Sequence, residues 1–205
     1  MIKAIVFDVG GVLEISYNGK DNQRSVHGYV AKKIGVDLDS YFDIIGGVHE
    51  KSIDGRVTRK MMFEVMTRDF KISSKKLEKL YKNGFKKVFR SNKRMYSFAY
   101  NLKKKGYKIG ILSDQWYLSK DALINPKKMK KFDFVIVSCD VKTRKPKPKI
   151  YRIALKKAKC KAGEMIFIDN REWNVEPAVR LGINGIVFED NEQCFRALKK
   201  LGVGV

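Results

Sequence analysis

The 205-residue sequence is short of several residue types, and each shortage excludes something. There are two histidines, His27 and His49, too far apart in the chain to argue for a histidine-rich metal centre. The three cysteines, Cys139, Cys160 and Cys194, are odd in number and widely spaced, so neither a disulfide framework nor a zinc-ligand pattern is present. They fit reduced, structural thiols in a cytoplasmic setting. No run approaches the ~18 uninterrupted apolar residues that a membrane span requires. The start, MIKAIVFDVGGVL, is broken by Asp8 and lacks the charged beginning, long apolar stretch and cleavage site of a secretory leader. Internal repeats and low-complexity linkers are also missing. The last shortage is of acid: 22 Asp and Glu stand against 44 Lys and Arg, a net charge of +22.

That imbalance has an address. Residues 1–70 carry 10 basic and 10 acidic side chains, residues 164–205 carry 5 and 7, and residues 71–163 carry 29 and 5. From 141 to 163 there are ten basic residues and no acidic one. A central basic segment invites a polyanion reading. Two features favour a solvated, lysine-rich surface over a nucleic-acid site. The 33 Lys outnumber the 11 Arg, although Arg is the better phosphate fork. The interleaved aromatics Tyr81, Phe85, Phe89, Tyr96 and Tyr100 fall at helix-packing spacing rather than on a stacking platform.

What is present is an alternation. Apolar runs at 3–8, 107–112, 133–138, 164–168 and 185–188 are apolar throughout, as buried parallel strands are. Between them lie helical patterns: Met95, Phe98, Ala99 and Leu102; Ile150, Ile153, Ala154 and Ala158; and Trp173, Val175, Ala178, Val179 and Leu181. Strand–helix alternation predicts an α/β fold, a doubly wound parallel sheet. Residues 17–91 break the pattern and read as helices over His27–Ile34, Leu38–Ile45, Thr58–Phe70 and Ser73–Phe89, the last capped by Ser73 or Ser74. The expected organisation is a core of residues 1–15 and 92–205 and an all-helical cap of residues 16–91 over the carboxyl end of the first strand.

Four polar residues fall at strand ends: Asp8, Ser113 and Asp169 close three strands, and Lys145 follows another by a loop. Adjacent parallel strands would bring these to one crevice. Two carboxylates can hold a hard cation such as Mg²⁺. The ammonium and hydroxyl can hold phosphoryl oxygens, and one carboxylate can attack phosphorus.

The segments FDVGGVL, LSD at 112–114, RKPKPKIY at 144–151 and FIDNREWN at 167–174 resemble, in order and spacing, the four motifs of the haloacid dehalogenase superfamily. The resemblance covers the core, about two-thirds of the chain. It is most similar to capped small-metabolite phosphatases, and implies a Mg²⁺-dependent hydrolase acting on a small phosphorylated substrate through an aspartyl-phosphate. By the resemblance, Asp8 is the nucleophile and a metal ligand, the Gly10 carbonyl and Asp169 are further ligands, and Ser113 and Lys145 hold the phosphoryl group. Asp114 and Asn170 border the substrate, Asn170 standing where a second Asp is frequent, and Asn174 braces the loop.

One departure stands out. Phosphatases of this superfamily usually carry a second Asp two residues after the nucleophile, as the acid and base of the reaction; here Gly10 occupies it. Such a group is worth roughly 10²–10⁴-fold. A catalytically weak or inactive binding protein of this fold, and polyanion binding through the basic segment, are therefore the alternative readings. Trp116, Tyr117 and Trp173 follow motifs and are candidates for pocket lining or for packing. Tyr17 and Asn18 lie where the cap begins and are candidates for substrate contact.

Overall fold

The central strand is built from the residues that most resist any other state. Ala4–Phe7 (β1) is a β-branched and aromatic run, and all four side chains are buried. The computed structural model describes residues 1–17 and 23–204; Asn18 lies outside them. After β1 come a short strand Glu14–Ser16 (β2), helices Gln23–Ile34 (α1), Leu38–Ile53 (α2), Arg59–Phe70 (α3) and Ser74–Val88 (α4), and a return strand Phe89–Ser91 (β3). The chain continues with Lys93–Lys104 (α5), Lys108–Ser113 (β4), Tyr117–Leu123 (α6), Pro126–Met129 (α7), Phe134–Val137 (β5) and Ser138–Val141 (α8). It ends with Pro148–Ala158 (α9), Met165–Asp169 (β6), Glu172–Arg180 (α10), Asn184–Val187 (β7) and Asn191–Lys200 (α11).

Five of these strands form one parallel sheet in the order β5-β4-β1-β6-β7. Alternate side chains serve opposite faces. Ile5 and Phe7, with Ile109, Ile111, Ile166 and Ile168, join the core under α5 and α11. Ala4 and Val6 join Phe167, Ile150, Tyr151, Ala154 and Ala178 under α9 and α10. Helices on both faces explain why the strands read as continuously apolar. The chain runs outward from β1 to β4 and β5, then crosses to β6 and β7 on the other side. That reversal puts the switch point at β1, where crevices open at the carboxyl ends.

The four helices between β2 and β3 form the helical insert. Ser73 caps α4 by accepting from the Lys76 N–H, and Leu77, Tyr81, Gly84 and Phe85 are its buried side. Thr58 caps α3 through Met61. Helix α2 runs on to Ile53, eight residues past the expected Ile45, capped at its start by Asp37. A second difference is the antiparallel ribbon of β2 and β3, which pairs Glu14 with Ser91 and Ser16 with Phe89 and joins insert to sheet. Three-residue strands carry too short a pattern to stand out in a sequence. In α10, Trp173 and Val179 face outward, 63% and 51% exposed, and the buried side is Asn174, Val175, Pro177 and Ala178. Among the described residues no helix is long and apolar enough to cross a membrane.

Candidate active site

Asp8 sits one residue beyond β1, where its backbone N–H still donates to the Ile168 carbonyl of β6 at 2.9 Å. Ser113 and Asp169 are the last residues of the strands on either side. Lys145 comes from the loop after α8 and reaches inward between them. Its Nζ lies 2.6 Å from Asp169 Oδ2 and 3.1 Å from Asp8 Oδ1, and donates to the Leu112 carbonyl at 3.3 Å. Asp8, Ser113, Lys145 and Asp169 are all buried, and among the described residues Lys145 is the sole buried lysine. Burial separates it from the nine other cations of residues 141–163, as its place in the RKPKPKIY motif predicts.

The electrostatics follow from burial against pairing. Desolvation pushes the Asp8 carboxyl up to about 6; Lys145 opposes that rise, and Asp169 adds to it. Burial works against the charged Lys145 ammonium, but Asp169 and Asp8, with Asp114, outweigh it and hold its pKa above the ordinary value. Asp114 is raised by burial. Its Oδ1 accepts the Lys145 backbone N–H at 3.2 Å, so it fixes the loop that delivers Lys145 as well as lining the pocket.

Asp169 is held from three sides. Asn174 Nδ2 donates to both its oxygens at 3.2 and 3.1 Å, and the Arg171 N–H donates to Oδ1 at 2.8 Å. The Tyr151 hydroxyl donates to the Asn174 carbonyl at 2.7 Å. Ser113 Oγ accepts from Gln115 Nε2 at 2.9 Å, and Gln115 is tied through its N–H to Ser138 Oγ at 3.0 Å. Gln115 and Ser138 carry no motif signal and became visible only in the fold.

The Gly10–Gly11 turn has two different glycines. Gly11 has φ +88°, and a Cβ there would lie 2.4 Å from the Asn170 side chain. Only glycine fits. At Gly10 a Cβ would meet nothing within 4 Å. Asn170 thus packs on Gly11 and lines a groove of about 550 Å³ with Tyr17 and Arg90. A separate pocket of about 250 Å³ opens between the insert and the strand ends, lined by His49, Asp114, Trp116, Arg144, Lys145 and Trp173. Trp116 is buried, Trp173 sits at the rim, and the Tyr117 hydroxyl donates to the Val57 carbonyl of the insert at 3.1 Å. His27 and His49, isolated in sequence, have ring centroids 5.5 Å apart.

The oxygen donors suit a hard cation. Asp8 Oδ1 is buried and makes no aligned hydrogen bond, although Lys145 is close, so an acceptor remains available beside the Gly10 backbone. Among the described residues no group of three or more His, Cys, Asp or Glu converges, so any such site rests on two carboxylates and a carbonyl.

Comparisons with known proteins bear on the family and the fold. The family model described as haloacid dehalogenase-like hydrolase matches residues 29–188, and the chain belongs to that family. The matched span begins beyond Asp8. The bifunctional epoxide hydrolase 2 of Mus musculus is 26% identical over 215 residues, covering 98% of this chain and 39% of the relative. The chain spans between a fifth and two fifths of the length of the curated epoxide hydrolase relatives it matches. A family enzyme from Bacteroides thetaiotaomicron, solved as a variant with magnesium and inorganic phosphate, superposes with a TM-score of 0.77 at 20% identity, over 96% of this chain and 100% of that one. A 2-haloacid dehalogenase from Pseudomonas syringae superposes with a TM-score of 0.65 at 15% identity, over 98% and 99%. At these identities the likeness is one of fold. The chain is a member of this family, and the reaction follows from the site rather than from these likenesses.

Proposed function

We propose that the chain is a phosphomonoester hydrolase acting on a small phosphorylated metabolite, with the helical insert as its cap. The observation that carries this reading is the buried Lys145 ammonium, 3.1 Å from Asp8 and 2.6 Å from Asp169 at the strand ends. A buried ammonium between two carboxylates is suited to a phosphoryl group, which brings several negative oxygens to one place. Gly10 is smaller than the residue dehalogenases generally carry there, so it does not favour halide displacement.

In this reading Asp8 attacks phosphorus in line, and the ester oxygen leaves on the far side. Lys145 offsets charge on the equatorial oxygens, and Ser113, held by Gln115, positions them. Asn174 and the Arg171 N–H keep Asp169 oriented. Asp8, the Gly10 carbonyl and Asp169 would hold Mg²⁺, which when bound supplies further charge neutralisation at the phosphoryl oxygens. The magnesium and phosphate in the Bacteroides enzyme support this assignment. Asp114 and Asn170 border the substrate, Asp114 from the pocket and Asn170 from the Gly11 side. Water then hydrolyses the aspartyl-phosphate.

The test is a panel of phosphomonoesters with and without Mg²⁺. The expected result is phosphate release that chelation abolishes, Mg²⁺ restores and Asp8→Asn eliminates. Absence of turnover across the panel, or an Asp8→Asn variant as active as the parent, overturns the reading.

A further inference from the structure

Gly10 leaves the turn beside Asp8 with no side chain to move a proton, and the helical insert presents one. His49 lies on α2, its ring edge-on to Trp116 at a centroid distance of 4.6 Å. Trp116 is three residues beyond Ser113. His49 Nε2 is buried and has no hydrogen-bond partner, and the residue lines the same 250 Å³ pocket as Lys145 and Asp114. A buried polar atom without a protein partner is costly, so this nitrogen is open to water or to a ligand that enters the pocket.

We propose that His49 is the proton-transfer residue of this site, giving the Nε2 proton to the leaving oxygen of the ester and later taking one from water. The inference rests on the phosphatase reading. In the first step the Asp8–phosphorus bond forms, the ester bond breaks, and the leaving oxygen takes the proton from the imidazolium. In the second step the water oxygen bonds phosphorus, the Asp8–phosphorus bond breaks, and the water proton returns to Nε2. Asp8 and the imidazolium are both regenerated, with no other reactant.

The charged and titratable groups around the ring are Glu50 and Arg144 at the rim, Asp114, Lys145 and Arg171 from the loops, and His27 from α1. Burial holds the ring neutral, pushed down to about 4, with Arg144 lowering it further and Glu50 raising it. A phosphoryl group adds negative charge to this pocket and favours the imidazolium, so phosphate binding takes up a proton.

The experiment compares His49→Gln with the parent on an alkyl phosphate, whose leaving oxygen needs a proton, and on dinitrophenyl phosphate, whose leaving group does not. The expected result is a fall in kcat/KM of about 10²-fold or more on the alkyl ester and less than about threefold on the aryl ester. Because water attack is common to both substrates, kcat falls on both. Calorimetry of inorganic phosphate binding in two buffers should show proton uptake in the parent and none in His49→Gln. Adding Gly10→Asp, whose Cβ meets nothing within 4 Å, to His49→Gln should restore alkyl ester turnover. Equal losses on the two esters, or no loss, with unchanged proton uptake, overturn the proposal while leaving the phosphatase reading intact. No turnover of either ester by the parent overturns both.

Discussion

Asp8 shows how an unfavourable residue reveals a task. Its carboxyl is nearly fully buried and rises to about 6, above its ordinary value. The folded chain therefore binds this proton more tightly than the unfolded chain. The stability it contributes is complete below about 4 and is lost as the pH climbs through about 6. Asp8→Asn is neutral throughout, so in chelator at pH 8 it should be more stable than the parent by on the order of 1–3 kcal/mol. The gain should vanish near pH 4. Denaturant titrations at the two pH values check this, and a variant less stable at pH 8 contradicts it. Gly11 gives the complementary case. Gly11→Ala drives a Cβ into Asn170 at a positive φ, and should cost roughly 1–3 kcal/mol together with most of the turnover. Thermal melts and the phosphate-release assay measure both. The same Cβ at Gly10 meets open space, so Gly10→Asp should melt close to the parent temperature.

Among elements, the decisive contact is between the end of α2 and the loop that carries Lys145. Asp54, buried at the C-cap of α2, faces Arg144 at 3.2 Å, Lys147 at 3.6 Å and Arg56 at 3.2 Å; Glu50 pairs with Arg144 at 3.0 Å. On α3, Arg59 bridges Glu78 of the insert and Asp121 of α6 at 2.7 and 2.6 Å. The insert is therefore tied to the core by charge at two places, from α2 to the Lys145 loop and from α3 to α6. The ribbon that joins them carries its own buried group. Glu14 accepts from the Tyr96 hydroxyl at 3.0 Å and pairs with Lys128 at 2.7 Å. Asp54→Ala removes an anion from three cations that are partly solvated, so the loss should be about 1–3 kcal/mol rather than that of a fully buried pair. The insert should become the first region cut by a protease, and KM should rise because His49 is carried on the same helix. Limited proteolysis and steady-state kinetics read the two effects; an intact cleavage pattern with unchanged KM would show that the clamp is not what seats the insert.

At the scale of the molecule, the +22 charge is mostly a solvated surface, with one consequence for rate. Lys86, Arg90, Lys93, Arg94 and Lys128 line a groove of about 870 Å³ beside the ribbon, and Arg144 and Arg171 line the Lys145 pocket. Their summed field draws anions toward the strand ends. For a dianionic ester, kcat/KM should fall several-fold between about 0.02 and 0.3 M salt, because the screening length shortens from roughly 20 Å to below 8 Å. The parent's kcat should change little. A flat salt response of kcat/KM would remove steering from the account.

The sequence by itself determined the sheet and its crevice. Five apolar runs with helices between them admit few arrangements, and side-chain alternation with short crossovers puts Asp8, Ser113 and Asp169 at the same end. It also narrowed the cap of α4 to Ser73 or Ser74 and marked that helix's apolar face, since a cap and a helix face are local properties. What it left open depends on contacts between distant segments. The RKPKPKIY motif marks Lys145 among its neighbours, but only the fold shows that one ammonium buried between carboxylates 137 and 24 residues away. His27 and His49 are ordinary singletons in the chain, and Gln115 carries no pattern at all. Only the packing of α2 over the strand ends sets His49 against Trp116 in the same pocket as Lys145, because proximity across a pocket is a tertiary property that no local periodicity records.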